Sequence, residues 1–426
     1  MAEMKNIILG SALFNWGETH RMVGIGEELE KRGYQIIYLG KGKYDYMIDE
    51  TDFIRAEVPT DEEWFTQERI AKMMDMDTYV NNYATAEEID RQISAEVEVM
   101  RKYNPVCVVT GYRTTLSLSA RVLNVPLVWV MSSAISKEFF TKKIESLPEN
   151  SILNRYFDKE KMNKNKDVML GFVKQMLSMY DETSKEWNKV NKKYGLPKFE
   201  SDLDIFKGEL NIISDPFEFG EDEDGYKYCG PIFLHKKIEM PEITKDIDSI
   251  NKKKVFVILG SSGQKDHFTK VLDAVADYDC EFYIAANKAL SPEDKAKYPS
   301  NFHFSDVFPV FDMAQKVDAC ITNGGQGTIY AVLAAGKPFV GISLFMEQQY
   351  NLETLTSRGF GLQVPKEKIT KESMKEALDK VLYDETYINK AKEGEAIVRK
   401  YYDDPDYYAE GKAADLIKEY LDEKES

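Results

Sequence analysis

The sequence predicts an α/β protein with two doubly wound parallel sheets. Short apolar runs alternate with stretches at helical spacing, which is typical of strand–helix–strand units with parallel strands. The pattern begins near residue 6 and begins again near residue 255. Because 426 residues are too many for one ordinary hydrophobic core, we expect two domains.

The first half opens with an apolar strand and a helix that together define the start of a sheet. The strand is expected at Asn6–Leu9, the helix from about Thr19 to Arg32, and the next strand at Tyr34–Leu39. Further apolar strands are expected at Pro105–Val109, Val125–Met131 and Leu210–Ser214. Loops that follow parallel strands lie at one edge of the sheet, where ligands of such folds bind.

The second half contains two glycine-rich loops that each follow a predicted strand. The first, Gly260-Ser261-Ser262-Gly263, follows Val255–Leu259 and precedes a helix, an arrangement that suits phosphate. The second runs from Asn323 to Thr328 and leads into a helical run at Ile329–Ala335. Its glycines let backbone N–H groups approach a ligand, and the helix start adds a partial positive charge. These loops predict a cradle for a diphosphate.

Glu347 and Gln348 follow the next apolar run, Phe339–Ile342, and are expected in a loop at the same edge of the sheet. Both side chains could therefore face the same ligand. The alternative is that the glycine cluster is an ordinary strand–turn–helix connection of a doubly wound core.

Composition excludes several classes of protein. A net charge of -17 argues against a nucleic-acid partner, which needs clustered Lys and Arg. The four cysteines form no CxxC pair, so neither a zinc site nor a disulfide framework is indicated. We expect no metal site, because the sequence has no clustered His, Cys or carboxylate motif. We expect no signal peptide either, because Lys5 leads into a short apolar run that predicts the first strand. No apolar run approaches membrane-spanning length, and a cytoplasmic location is expected.

The stretch from residue 323 to 351 resembles the donor-binding signature of the GT-B glycosyltransferases of the UDP-glycosyltransferase and MurG type. The positions in register are Gly324, Gly325, Gly327, Thr328, Gly336, Pro338, Glu347, Gln348 and Asn351. The resemblance implies two Rossmann-like domains with an interdomain cleft. It also implies transfer of a hexose from a UDP- or dTDP-sugar to a hydroxyl of a small-molecule, lipid or glycan acceptor, with inversion and without a metal or cofactor.

The resemblance also assigns residues to the donor. The donor-binding residues it implies are Ser261, Ser262, Gly263, Val307, Asn323, Gly324, Gly325, Gln326, Gly327, Thr328, Glu347 and Gln348. Two positions depart from the family pattern: Asn323 replaces a phosphate-contacting His, and Ala331 replaces a ribose-binding Glu.

The first helix resembles the family's catalytic helix but departs at its central residue. Gly17, Arg21, Leu29 and Gly33 are in register. Glu18 stands at the position of the catalytic His, His20 lies two residues later, and Thr110-Gly111 stands where an Asp often orients that His. Three interpretations remain open: Glu18 is the general base, His20 is the base, or the chain has no base.

The predicted domains are 1–235, the acceptor side, and 255–405, the nucleotide-sugar side, with a linker at 236–254 and a last helix at 406–426 that crosses back to the first domain. Arg113 lies on the ligand-facing edge and could bind an anionic group, although a packing or solvated Arg is the simpler interpretation. Two other functions fit the same fold: a non-catalytic nucleotide-sugar-binding protein, and a sugar-nucleotide epimerase or hydrolase.

Overall fold

A computed structural model of the chain describes residues 4–12, 14–74, 83–139, 164–165, 167–171, 184–223, 225–233, 238–260, 265–286 and 289–425. These residues form two compact units. Unit 1 contains the described residues of 4–139, 167–232 and 406–425, and unit 2 contains 164–165 and the described residues of 233–405. The segment 242–249, within the predicted linker, forms two short 3-10 turns in unit 2.

Unit 1 is built on a parallel seven-stranded sheet. Its strands are β1 (Asn6–Gly10), β2 (Gln35–Leu39), β3 (Ile54–Ala56), β4 (Cys107–Thr110), β5 (Leu127–Met131), β6 (Leu210–Ile213) and β7 (Tyr226–Tyr228). All neighbours in the order β3-β2-β1-β4-β5-β6-β7 are parallel. The chain therefore winds in opposite directions from β1 and β4, and their carboxyl ends border the point where ligands of such sheets bind.

Helices cover both faces of this sheet. They include α1 (Trp16–Lys31), α2 (Tyr46–Asp49), α3 (Asp61–Trp64), α4 (Gln67–Met74), α5 (Ala86–Tyr103), α6 (Leu116–Leu123) and α7 (Lys185–Tyr194). Successive strand side chains point to opposite faces. Ile7 and Leu9 accordingly pack in the core beneath α1, and Ile8 packs in the core beneath α5 and α6.

Helix α1 begins three residues earlier than the sequence predicts. The sequence places its start at about Thr19, whereas the structure places it at Trp16. Asn15 precedes it in an extended conformation, and its Oδ1 accepts hydrogen bonds from the amides of Gly17 (3.0 Å) and Glu18 (3.3 Å). This N-cap provides an acceptor for two amides of the first turn that have none within the helix, and it places Glu18 inside the helix.

Unit 2 is built on a parallel six-stranded sheet. Its strands are β8 (Lys254–Ile258), β9 (Glu281–Ala285), β10 (Phe302–Ser305), β11 (Ala319–Thr322), β12 (Phe339–Gly341) and β13 (Gly361–Gln363). Their order is β10-β9-β8-β11-β12-β13, so the winding reverses between β8 and β11. Both predicted doubly wound sheets are confirmed.

The helices of unit 2 lie in two layers. They are α8 (Lys265–Val275), α9 (Pro292–Lys295), α10 (Val310–Gln315), α11 (Gln326–Ala334), α12 (Met346–Thr356), α13 (Lys371–Tyr383) and α14 (Glu385–Asp403). Val255 and Val257 of β8 share a core with α8 and α13. Phe256, between them, faces the other way and packs edge-on against Phe308, with ring centroids 5.2 Å apart. The apolar run of the strand is thus buried on both faces, as a central parallel strand requires.

The last helix, α15 (Ala409–Glu425), belongs to unit 1. Ala413, Ala414 and Ile417 share the core of Ile7 and Leu9, so the end of the chain completes the first sheet's cover. Within the described ranges, no helix combines the length and the hydropathy that a membrane crossing requires.

Arg113 is a structural residue of unit 1. It is 0% exposed, its Nε donates to Glu96 (2.8 Å), and its Nη1 donates to Asp61 (3.0 Å). Glu96 also accepts from the hydroxyls of Thr115 and Ser119. These contacts agree with the simpler interpretation of a packing Arg and do not fit an anionic ligand, because two carboxylates of its own unit hold the guanidinium.

Removing one member of this network should destabilise unit 1. We expect Glu96→Ala to lower the free energy of unfolding by about 3–5 kcal/mol, because Arg113 would lose a buried partner. All four tryptophans (Trp16, Trp64, Trp129, Trp187) lie in unit 1, so urea unfolding followed by tryptophan fluorescence reports on this unit. Glu68→Ala, which breaks an exposed ion pair with Lys72, is the control and should leave the midpoint unchanged. A Glu96→Ala midpoint equal to that of the control would contradict the structural role.

Candidate functional site

The carboxyl edge of unit 2 presents the start of α11. The sequence places this helix from Ile329, but the structure starts it at Gln326 with Gly325 as its N-cap. The amide of Ile329 donates to the carbonyl of Gly325 (2.9 Å), the first bond of the helix. The amides of Gly327 and Thr328 precede that bond and so have no acceptor within α11. Gly327 is exposed and Thr328 partly exposed, so this first turn can receive an anion.

Only glycine fits at position 324. Its φ is +82°, a region that other residues rarely adopt. A Cβ added there would lie 2.5 Å from Cγ of Leu352 and 2.8 Å from the carbonyl oxygen of Gln348. The glycine therefore allows the turn after β11 to pack directly against α12.

Asn323 joins the ends of the two central strands. Its Nδ2 donates to the carbonyl of Leu259 (2.8 Å), just after β8, and its Oδ1 accepts from the amide of Gly325 (3.4 Å). The side chain is 2% exposed. The resemblance gave this position a phosphate contact, whereas these bonds make Asn323 a residue that positions the loop.

Glu347 and Gln348 lie in the first turn of α12, and not in a loop as expected from the sequence. Gln348 is 3% exposed, and its Oε1 accepts from the amide of Leu344 (2.9 Å), so it shapes the connection after β12. Glu347 is partly exposed. Asn351, one turn further on, donates from Nδ2 to the carbonyl of Gly324 (3.2 Å). The structure thus brings the Asn323–Thr328 loop and the start of α12 together. In the sequence, the only sign of this contact was that Asn351 lies in register with the donor-binding motif.

The remaining donor residues lie near the same edge or outside the described residues. Val307, in the segment between β10 and α10, is 51% exposed. Ser261, Ser262 and Gly263 lie outside the described residues. The described residues contain no group of three or more His, Cys, Asp or Glu side chains arranged to hold a metal ion.

In unit 1, Glu18 lies at the point where the strand order reverses. Its Oε2 accepts from the amide of Ala12 (3.1 Å), after β1, and its Cγ would lie 2.9 Å from a Cβ at Gly111, after β4. Only a residue without a side chain fits at 111, so Gly111 makes room for the carboxylate. The hydroxyl of Thr110, the residue before Gly111, donates to the carbonyl of Gly10 (2.8 Å) and joins the ends of β4 and β1.

Burial makes the carboxyl group of Glu18 a weaker acid than that of an exposed Glu. The residue is 1% exposed, and Oε1 makes no well-formed hydrogen bond among the described residues, although the backbone of Tyr112 lies close enough to lower the pKa of the carboxyl. Burial raises the pKa of Glu18 to about 7, while the Ala12 amide and the charge of Arg21 oppose that rise. A carboxyl group with a pKa near neutrality can accept or release a proton at physiological pH.

His20 does not share this position. Residues two apart on a helix point in directions about 200° apart, so Glu18 and His20 lie on different faces of α1. His20 is partly exposed and stacks on Trp16, with ring centroids 5.5 Å apart and an interplanar angle of 12°. The described structure places Glu18, and not His20, at the reversal of the strand order.

Comparison with known proteins links this architecture to glycosyltransferases. Residues 269–398 match the family model described as erythromycin biosynthesis protein CIII-like, C-terminal domain. The PGL/p-HBAD biosynthesis glycosyltransferase of Mycobacterium tuberculosis is 24% identical over 298 residues, which cover 68% of this chain. That match covers 66%, just under two thirds, of the relative's own length.

Longer matches agree with this class. The PGL/p-HBAD biosynthesis rhamnosyltransferase of Mycobacterium bovis is 23% identical over 393 residues, or 89% of this chain and 81% of that protein. Among solved structures, the glycosyltransferase VinC in complex with dTDP superposes with a TM-score of 0.63 over 98% of this chain and all of its own, at 13% identity. The two sheets and this superposition show that the chain has the GT-B fold, and the relatives that it matches in sequence are named glycosyltransferases.

The raised pKa of Glu18 should make unit 1 less stable as the pH rises. A carboxyl whose folded pKa is about 7 stabilises the fold while it is protonated, and this contribution is lost between about pH 4.5 and pH 7. The difference in unfolding free energy between Glu18→Gln and the unsubstituted protein should therefore shift by about 2 kcal/mol in favour of the variant when the pH is raised from 5.5 to 8. Urea unfolding followed by tryptophan fluorescence measures this difference. The exposed Glu27→Gln on the same helix is the control, and equal pH profiles for the two variants would refute the burial argument.

Proposed function

We propose that this protein transfers a hexose from a dTDP- or UDP-sugar to an acceptor hydroxyl, with inversion and without a metal ion. The observation that carries the proposal is the first turn of α11, where the amides of Gly327 and Thr328 have no helical acceptor at the strand-order reversal of unit 2. Such a turn suits a diphosphate. The dTDP bound by VinC, a protein of the same fold, supports the choice of nucleotide.

The donor site is proposed to divide its residues by task. Thr328 and the amides beside it bind the diphosphate, and the partly exposed Glu347 binds sugar hydroxyls. Val307 flanks the nucleotide base. Asn323, Gln348 and Asn351 position these groups through their bonds to the backbone. Ser261, Ser262 and Gly263 remain proposed donor contacts on the basis of the sequence.

The chemistry requires charge stabilisation at the leaving group. When the bond between the anomeric carbon and the diphosphate oxygen breaks, negative charge develops on the diphosphate. In the proposed site, backbone N–H groups, the Thr328 hydroxyl and the partial positive charge of α11 stabilise that charge. Because these groups are already oriented before reaction, their reorganisation adds little to the barrier.

Glu18 is proposed as the general base. The acceptor oxygen attacks the anomeric carbon from the side opposite the diphosphate, which inverts the configuration, and its proton passes to Glu18. Oε1, which makes no well-formed hydrogen bond among the described residues, is the atom that we propose takes that proton. Since Glu18 is 1% exposed, an acceptor reaches it only when neighbouring loop residues move aside.

Loss of the Thr328 hydroxyl should weaken donor binding. We expect Thr328→Ala to weaken the binding free energy of dTDP by about 1–3 kcal/mol, the usual cost of losing a hydrogen bond to a charged group, which is about a 5- to 150-fold rise in Kd. Isothermal titration calorimetry measures this change. Thr328→Ser keeps the hydroxyl and should retain most of the affinity. Unchanged dTDP affinity in Thr328→Ala would remove Thr328 from the donor site.

Loss of the carboxylate at position 18 should stop the chemistry and leave donor binding intact. With an acceptor found by screening hydroxyl compounds against dTDP- and UDP-sugars, Glu18→Gln should reduce turnover by about 10²–10⁴-fold. Activity of the unsubstituted protein should rise with pH through about 7, as the base ionises. Mass spectrometry of the products separates transfer from hydrolysis and epimerisation. Full activity of Glu18→Gln together with an inactive His20→Ala would assign the base to His20.

A further inference from the structure

We propose that Tyr38 is a positioning residue for Glu18: together with Ser11 it holds the loop after β1, so that the amide of Ala12 stays on the carboxylate. The inference rests on the proposed function and adds a positioning residue to it. Tyr38 lies in β2, and Ser11 directly follows β1. Because Tyr38 is 0% exposed, it acts on the base through the loop and not by contact with a substrate.

A buried hydrogen bond joins Tyr38 to the loop. The hydroxyl oxygens of Ser11 and Tyr38 are 2.7 Å apart, and Ser11 is also 0% exposed. Burial raises the pKa of Tyr38 far above its usual range, so the phenol stays protonated while Glu18 titrates. The bond between the two hydroxyls is therefore present on both sides of that titration.

The strand register explains why Tyr38 reaches this loop. Tyr38 pairs with Leu9 in the parallel register of β1 and β2, two residues before Ser11. Side chains in strands lean along the strand direction, so the long phenol extends towards the carboxyl end of β1. A Phe at position 38 would fill the same apolar core but would have no group for Ser11.

The phenol ring is fixed on its other side. It stacks on Phe53, with ring centroids 6.2 Å apart and an interplanar angle of 6°. Phe53 lies so close to α1 that a Cβ added at Gly26 would be 2.5 Å from its Cζ. Protein interiors are close-packed, so a ring enclosed in this way keeps its place. The position of Ser11 is thus tied to the helix that carries Glu18.

The loop that Tyr38 holds carries a hydrogen-bond donor to the proposed base. The amide of Ala12, directly after Ser11, donates to Oε2 of Glu18 (3.1 Å). A donor fixed at Oε2 limits rotation of the carboxyl group and keeps Oε1 as the proposed proton acceptor. Loss of the Tyr38 hydroxyl would release the loop and weaken the bond from Ala12.

The groups that face the carboxyl of Glu18 determine how its acidity would change. Burial raises its pKa to about 7, and four groups oppose that rise: the amide of Ala12, the charge of Arg21, the backbone of Tyr112 and the charge of Arg113. A hydrogen bond to the charged form lowers the pKa of a carboxyl group. Weakening the bond from Ala12 should therefore raise the pKa of Glu18 further, and the base would ionise only at higher pH.

The pH dependence of unfolding tests the inference without a substrate. Urea unfolding, followed by tryptophan fluorescence, is compared between a protein and its Glu18→Gln version. The upper end of the pH range over which their difference changes marks the folded-state pKa of Glu18. In Tyr38→Phe this point should lie about 0.5–1 pH unit higher than in the unsubstituted protein, which makes Glu18 an acid about three- to tenfold weaker. Ser11→Ala should give the same shift, and the two changes combined should add little to it.

Tyr34→Phe is the matched control. Tyr34 is buried in the same core as Tyr38 but lies just before the amino end of β2, at the edge of the sheet opposite Ser11. Its loss of a hydroxyl should leave the pKa of Glu18 unchanged, whatever its effect on stability.

The position on the pH axis separates positioning from a merely structural role. An unchanged or lower pKa of Glu18 in both Tyr38→Phe and Ser11→Ala would overturn the inference, even if both variants were less stable. An equal rise in Tyr34→Phe would also overturn it. If Tyr38→Phe fails to fold, Ser11→Ala decides the question. Failure of the unsubstituted protein to bind dTDP would count against the proposed function, whereas the shift in pH tests the role of Tyr38 alone.

Discussion

The reversal of strand order in each parallel sheet is the constraint on which the rest of this structure depends. Where the winding changes direction, between β1 and β4 in unit 1 and between β8 and β11 in unit 2, the following helices diverge and leave space at the carboxyl ends. The same chain feature has two chemical outcomes. In unit 1 the space encloses a carboxylate, Glu18. In unit 2 it opens onto backbone amides at the start of α11.

The two outcomes differ because burial and the helix dipole act on different groups. Glu18 lies in the first turn of α1, where the dipole favours the charged carboxylate, yet burial outweighs that effect and raises its pKa to about 7. Gly327 and Thr328 lie in the first turn of α11, where the dipole acts on a position that the chain leaves accessible. One helix start therefore suits proton transfer, and the other suits an anion.

Most of the buried polar side chains near the two strand-order reversals hold neighbouring segments of the chain in place. Asn323, Gln348 and Asn351 use their amides to bind backbone groups of neighbouring segments. Arg113 uses its donors on Asp61 and Glu96. A buried polar side chain must be satisfied, so once the fold provides these partners the side chain becomes a positioning group. Thr328 and Glu347 keep partial exposure, and they are the residues that we propose for ligand contacts.

By itself the sequence determined the two doubly wound sheets, most of their strands, and the glycine-rich loop after β11, because apolar periodicity and glycine spacing are local signals. It also singled out Glu18, because that residue stands at the catalytic His position of the motif that Gly17, Arg21 and Leu29 otherwise match. Helix starts differed by three residues at α1 and α11, because capping by Asn15 and Gly325 depends on backbone conformation. The exposure of each polar group and the pKa of Glu18 required the tertiary structure, because they arise between residues far apart in the chain.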